Sequence, residues 1–352
     1  MRIIVTGGAG FIGSAVIRHL LKSDPNYEIA NLDCLTYAGN LESLESVETY
    51  RNYQHADINI CNLNNLKKFF NTFQPDAVMH LAAESHVDRS IDGPKVFLET
   101  NIIGTFNLLE ATKEYIQIHN KDCLFHHVST DEVYGDLGTN SSALFHESSK
   151  YSPSSPYAAS KASSDHLVRS WGRTYNIPYV ISNCSNNYGP FQFPEKLIPH
   201  MILCSLNGRA LNIYGDGQQV RDWLYVDDHA KALIKIVKGG KIGETYNIGG
   251  SNEKTNLEVV HMICDLLEDL SPVNGKKENF YRGLINFVKD RPGHDQRYAI
   301  DSTKIQQDLN WTPVESFESG LKKTIIWYLE NPNWINRILS GEYSMNRRGA
   351  IS

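Results

Sequence analysis

The sequence predicts an α/β fold, a doubly wound parallel sheet with a smaller C-terminal α/β domain for the substrate. Three observations carry that expectation. A β-branched run, Ile3-Ile4-Val5, meets a glycine turn, Gly7-Gly8-Ala9-Gly10-Phe11-Ile12-Gly13, and then helical periodicity from Ser14 to Lys22. A second short run, Glu28 to Leu32, stops at an acid, Asp33, twenty residues after Gly13. Short apolar runs then keep alternating with helical stretches as far as Cys184, the pattern that βαβ units produce.

Composition sets the outer limits. A chain of 352 residues, 41% hydrophobic and 21% charged, has enough apolar material for one large or two intimate domains. A net charge of −6 argues against a surface that coats nucleic acid, yet leaves room for a local cluster of cations around a small anion. The six cysteines (34, 61, 123, 184, 204, 264) are scattered and form no CxxC pair. That pattern suits reduced thiols in a cytoplasm and offers no zinc or disulfide framework, so no metal is expected. The chain runs directly into its first strand, Arg2 to Thr6, and contains no apolar run of about 18 residues, so neither an export signal nor a membrane span is expected.

The glycine turn has a specific chemistry. Gly7 permits the tight turn, Gly10 lets a pyrophosphate approach the backbone, and Gly13 lets the helix lie close to the strand, while the helix N-terminus attracts the phosphates. Asp33 at the end of the second strand is placed to bond the adenosine ribose hydroxyls and to repel a 2′-phosphate, which favours NAD over NADP. The first 188 residues are therefore expected to form a Rossmann-type NAD-binding domain. Its next strand, Tyr53 to Asp57, brings Asp57 and Ile58 toward the adenine. The strand Ala77 to Ala83 leaves room for the cofactor with its small residues around Leu81, Ala82 and Ala83. Ser85 and His86 follow on a loop, where His86 reads as a structural hydrogen-bonder. A long helix is expected over Val96 to Ile116, with Thr100 on a face toward the crevice.

The strand Cys123 to Ser129 ends at Thr130-Asp131-Glu132, a hydroxyl followed by two acids. In a doubly wound sheet the carboxyl ends of the strands open onto the ligand crevice. Two neighbouring acids there divide general-acid and general-base work when their surroundings separate their pKa values. After Pro153 and Pro156 a helix is expected from Ser155 to Tyr175, and on it Tyr157 and Lys161 stand four apart on one face. An ammonium beside a phenol favours the phenolate, a base able to take a proton from an alcohol.

Beyond the strand Tyr179 to Cys184 the chain is expected to leave the cofactor domain near Ser185 to Pro190, with a substrate domain over 189–340 and a return to the first domain at about 223–248. A helix at Lys196 to Asn207, a loop at Tyr214 to Gly217, a helix after Asp227, a strand at Glu244 to Ile248 and a helix at Asn256 to Leu270 follow. Arg221 and Arg291 are candidates for bidentate grips on a diphosphate. The stretch 341–352 is expected to be a flexible tail.

Gly7-x-x-Gly10-x-x-Gly13 with Tyr157-x-x-x-Lys161 resembles the extended short-chain dehydrogenase/reductase family. Within it the chain is most similar to the nucleotide-sugar 4,6-dehydratases, through Thr130-Asp131-Glu132, Asn183 to Pro190, Pro194 to Pro199, Arg221 to Val226 and Asp290 to Asp295. The likeness runs over about residues 1 to 335. It implies NAD as a tightly held cofactor, dTDP-glucose as substrate and a homodimer. It also implies roles: Tyr157 as the base for the C4 hydroxyl, Lys161 holding the nicotinamide ribose, Thr130 bonding the sugar near O4, Glu132 as the C5 base and Asp131 as the acid toward the C6 hydroxyl. Phe11, Ile12, Leu35, Thr36 and Asn187 complete the implied cofactor set, with Ser85 and Thr100 beside cofactor or sugar. Asn186, Lys196, Leu197, Tyr214, Arg221, Asn256, Arg291 and His294 form the implied nucleoside diphosphate set.

Two rival readings exist. A 4-epimerase or decarboxylase of the same fold has no water to eliminate, so Asp131 beside Glu132 argues against it. A silent NAD-binding regulator would have no use for Tyr157, Lys161, Asp131 and Glu132 together.

Overall fold

The computed structural model describes residues 1–138, 142–273, 275 and 279–340. The tail expected over 341–352 lies outside the described residues. Seven strands form one parallel sheet: β1 (Arg2–Thr6), β2 (Glu28–Leu32), β3 (Tyr53–Ala56), β4 (Ala77–His80), β5 (Leu124–Thr130), β6 (Tyr179–Cys184) and, much later in the chain, β10 (Thr245–Ile248). Their order is β10-β6-β5-β4-β1-β2-β3, so the direction of winding reverses between β1 and β4. That switch point is where a doubly wound sheet opens its ligand crevice. Ile3, Ile4 and Val5 have no exposure at all, as expected of strands covered on both faces.

Helices close both faces. On one side α1 (Phe11–Ser23) packs with α8 (Val226–Gly239) through Val16, Leu20, Leu233 and Val237. On the other, α2 (Leu63–Phe73), α5 (Thr105–His119) and α6 (Pro156–Tyr175) meet through Phe70, Leu108, Tyr115 and Val168. Between β4 and α5 lie two short helices, α3 (Val87–Asp92) and α4 (Pro94–Phe97), and between β6 and α8 come β7 (Asn186–Tyr188), α7 (Leu197–Leu206), β8 (Leu211–Tyr214) and β9 (Val220–Tyr225). The chain then adds β11 (Glu253–Thr255), α9 (Asn256–Leu270), β12 (Ile285–Val288), α10 (Thr303–Leu309), α11 (Phe317–Glu330) and α12 (Pro332–Ser340).

A second core lies in this C-terminal part, where Met201, Trp223, Ile263, Phe317 and Tyr328 pack together. Strand β9 joins the parts, pairing with β7 on one edge and β11 on the other. Ile305 and Trp311 belong to the first core, so α10 and the segment after it also lie against the cofactor half.

The helix expected over Val96 to Ile116 is present as one continuous helical run from Pro94 to His119, with a π segment inside it. Residues Leu98–Gly104 form a wide turn of π type between α4 and α5. Gly104 lies so close to Ile60 that a Cβ on it would come within 2.5 Å of the isoleucine. Asn101, within this segment, bonds the backbone of Glu84 and the Ser160 hydroxyl, and such bulges recur at functional sites. The stretch around Arg221 is a strand, where its two charged residues hide any alternating pattern.

Candidate active site

The glycine loop fits a dinucleotide. Gly7 has φ +69°, and a Cβ on it would stand 2.7 Å from the Ala82 backbone. A Cβ on Gly13 would sit 2.2 Å from the Gly7 carbonyl oxygen, so neither position tolerates a side chain. Helix α1 starts at Phe11 with Gly10 as its N-cap and no side-chain cap. Its first-turn N–H groups line a cavity of about 700 Å³ and form a ready anion site. Asp33 accepts from the N–H groups of Ala9 and Leu35, each at 2.9 Å, and so ties the loop to the end of β2. Burial raises its pKa, which those backbone bonds oppose.

All residues expected to hold the cofactor line this cavity except Leu35, Asp57 and Ile58. Leu35 adopts φ +49° and leaves its side chain 41% exposed, Asp57 is exposed, and Ile58 packs into the core beneath. Cys34, Asn59, Ile60 and Cys61 occupy that wall instead. Nothing in the local sequence marks them, because side-chain direction past a strand end depends on the turn that follows.

The catalytic candidates meet at the end of β5. Thr130 closes the strand and caps the following turn of 3₁₀ helix, Asp131–Tyr134, by accepting from the Glu132 N–H at 3.3 Å. Asn183 on β6 donates to the Thr130 carbonyl at 3.0 Å and fixes this strand end. Helix α6 begins one residue before Tyr157, with Pro156 in its first turn and Ser155 capping the Ala158 N–H at 3.1 Å. Lys161, one turn on, donates to the Val128 carbonyl at 2.9 Å. Thr130, Asp131, Glu132, Tyr157 and Lys161 all line the first cavity.

Electrostatics separates these groups. Burial, then Glu132 and Asp222, push Asp131 well above the carboxylate range, and its Oδ2 is buried without a hydrogen-bond partner among the described residues. Burial also raises Glu132, but Arg291, Lys196 and Arg221 pull it back. Burial lowers Lys161 to about 8 against the pull of Asp165 and Cys184. Burial and Glu132 raise the Tyr157 phenol well above its ordinary value, with Thr130 opposing. Forming the phenolate therefore requires positive charge near the ring beyond what these side chains give it.

A second cavity of about 330 Å³ adjoins the first and shares Ser85, Glu132, Asn186, Glu195 and Lys196 with it. Apart from Thr130, all the expected substrate residues line it: Ser85, Asn186, Lys196, Leu197, Tyr214, Arg221, Asn256, Arg291 and His294. Arg221 is no surface arginine. It is 5% exposed, lies over the Tyr298 ring at 4.3 Å and donates to the carbonyls of Val220 at 2.8 Å and Asp295 at 2.9 Å. Arg291 pairs with Asp88 at 2.6 Å, and Lys196 donates to the Ser85 carbonyl at 2.7 Å. Burial and Arg291 push His294 down to about 4, so its ring is neutral near pH 7, with Nδ1 2.7 Å from Asp290. Asp88, Arg209 and Tyr298 also line this wall and carried no sequence signal. His86 caps α3, accepting from the Arg89 N–H at 3.4 Å.

A dinucleotide cradle, a Tyr-x-x-x-Lys helix and an acid pair facing a cationic pocket define a short-chain dehydrogenase/reductase that acts on nucleotide sugars. The chain belongs to the GDP-mannose 4,6 dehydratase family, whose model matches residues 4–324. It is 57% identical over 352 residues to the dTDP-glucose 4,6-dehydratase of Neisseria meningitidis, covering 99% of each chain. Among solved structures it resembles the dTDP-glucose 4,6-dehydratase of Streptomyces venezuelae with NAD bound, at 42% identity and a TM-score of 0.87 over 96% of this chain and all 100% of that one. The Bacillus anthracis dTDP-glucose 4,6-dehydratase in complex with NAD is also 42% identical, with a TM-score of 0.84 over 96% of this chain and 99% of that one.

Proposed function

We propose that this chain removes water from dTDP-glucose to give the 4-keto-6-deoxy sugar nucleotide, using NAD as an internal redox partner. When bound in the glycine-loop cavity, NAD would supply a hydride acceptor for C4 and a hydride source for C6. Tyr157 takes the C4 hydroxyl proton while Thr130 holds O4, and the C4 ketone that forms acidifies the C5 proton. Glu132 removes that proton, Asp131 protonates the departing C6 hydroxyl, and water leaves. Glu132 then returns a proton to C5, and once product leaves, Tyr157 releases its proton to solvent while Asp131 takes one up, so the enzyme ends each cycle as it began. Lys161 orients the nicotinamide ribose. The nucleoside diphosphate lies in the second cavity against Asn186, Lys196, Leu197, Tyr214, Arg221, Asn256, Arg291 and His294. The thymine base rests on likeness to the relatives.

One observation supports this reading above the others: Asp131, pushed well above the carboxylate range, adjoins Glu132, which three cations hold back. Elimination requires an acid and a base together, whereas epimerisation and decarboxylation do not. Incubation with dTDP-glucose should yield a product with the alkali-induced absorbance of a 4-keto sugar. The C4 epimer dTDP-galactose formed in its place would sink the assignment.

The reading extends to organisation. Residues 1–188 with the return at 223–248 serve the cofactor, and 189–340 serve the substrate. Two copies associate through α5 and α6, where Leu98, Ile118 and Tyr175 are exposed nearby. A monomer in sedimentation at micromolar concentration would count against the dimer. The site of action is the cytoplasm, and no helix among the described residues is long and apolar enough to cross a membrane.

A further inference from the structure

Asp88 lies on α3, is 6% exposed and lines the second cavity. Its two carboxylate oxygens serve two distant segments. Oδ1 accepts from Arg291 Nη1 at 2.6 Å, and Oδ2 accepts from the Tyr214 hydroxyl at 2.9 Å. These partners lie 203 and 126 residues further along the chain, so one buried acid joins the cofactor half to two walls of the second cavity. Helix α3 is itself held at its start, where the His86 ring caps the Arg89 N–H and its Nε2 lies 3.3 Å from the Glu195 carbonyl.

We propose that Asp88 is a positioning residue for the nucleotide sugar, fixing the Arg291 guanidinium and the Tyr214 hydroxyl in the geometry that receives the diphosphate. This rests on the reading of the second cavity as the nucleoside diphosphate site. A long arginine side chain otherwise loses rotamer freedom at the moment of binding, and a partner that orders it beforehand removes that loss from the binding step. Arg291 Nε is buried without a hydrogen-bond partner among the described residues, so the pairing with Asp88 leaves a charged donor for an anionic oxygen.

Simple charge counting predicts the opposite effect. Asp88 is an acid in a cavity that takes an anion, so if it acted only through its field, its removal would tighten binding. The two accounts differ in sign. The test uses the NAD-loaded enzyme, with calorimetric titration of dTDP and steady-state kinetics on dTDP-glucose, for wild type, Asp88→Asn, Asp88→Ala, Arg291→Ala and Asp88→Ala/Arg291→Ala. Asp88→Ala should weaken dTDP binding and raise KM about tenfold, the scale of a lost charge-assisted contact, with kcat changed far less. Asp88→Asn, nearly isosteric, keeps one acceptor oxygen for two donors and should fall between; it carries the test if the alanine variant misfolds. The double variant should bind no more weakly than Arg291→Ala, since Asp88 acts through that arginine. Unchanged or tighter dTDP binding in both Asp88 variants, or losses that simply add in the double variant, would overturn the proposal. Failure of wild type to bind dTDP would instead overturn the reading of the cavity.

Discussion

Asp131 and Glu132 are consecutive residues at one strand end, yet they experience different fields. Asp131 is buried with Glu132 and Asp222 as acidic neighbours, whereas Glu132 faces Arg291, Lys196 and Arg221. Burial raises both, but acidic neighbours push Asp131 further up while the cations pull Glu132 back. This is the division of labour that elimination of a poor leaving group requires.

Tyr157→Phe should abolish turnover. The Tyr157 phenolate starts the reaction by accepting the C4 hydroxyl proton, and phenylalanine preserves the buried ring packed edge-on to Phe97 at 6.4 Å. Bound NAD should remain, and reduced nicotinamide should not appear when dTDP-glucose is added. Near-normal product formation would remove Tyr157 from its role.

Lys161 predicts a pH dependence. Burial lowers its pKa to about 8, so the ammonium is present below that pH and lost as pH rises through it. NAD affinity of the cofactor-free chain should therefore decline above about pH 8, and Lys161→Met should be weaker throughout and flat across that range. The same decline in the methionine variant would point to another group.

Arg221→Ala should raise KM for dTDP-glucose by roughly one to two powers of ten, the equivalent of a charge-assisted contact of about 1.5–3 kcal/mol, without altering NAD content. Thermal stability should fall as well, because the Asp295 carbonyl loses the Arg221 donor, the Val220 carbonyl keeps only the Tyr298 N–H, and Tyr298 loses the guanidinium over its ring. A variant that lost stability while keeping the wild-type KM would make Arg221 purely structural.

Gly13→Ala should yield protein without NAD. The added methyl would stand 2.2 Å from the Gly7 carbonyl oxygen and 2.8 Å from the Gly8 Cα, both backbone atoms that cannot swing aside. Cofactor released on denaturation gives the stoichiometry directly, and a full complement in the variant would contradict the close packing.

The glycine loop was legible in the sequence because its demands are local: a turn at Gly7, clearance at Gly13 and an acid twenty residues on. The acid pair was legible for the same reason, as three consecutive residues at a strand end. Asp88 was not, because its partners are remote in the chain and no spacing reports them. The π turn at Leu98–Gly104 was hidden as well, since a bulge keeps helical composition and shows only in how Asn101 and Gly104 pack. The short strands β7, β8, β11 and β12, of three or four residues, hold too few side chains to display a period. Leu35, implied by the resemblance, and Asp57 and Ile58, placed by the strand end, do not line the first cavity.

The most direct test of the account is a single turnover of Glu132→Gln. The amide cannot take the C5 proton, while Tyr157 remains able to start oxidation at C4. The variant should therefore accumulate the near-ultraviolet absorbance of reduced nicotinamide together with the 4-keto-glucose nucleotide, and elimination should stall. Asp131→Asn should behave alike but with slow loss of the C6 hydroxyl, because an amide has no acidic proton to give. In deuterated water the wild-type product should carry deuterium at C5, and a label placed at C4 of the substrate should arrive at C6. A Glu132→Gln enzyme that turns over normally without reduced cofactor building up, or a wild-type product that keeps its C4 label at C4, would contradict the dehydratase mechanism.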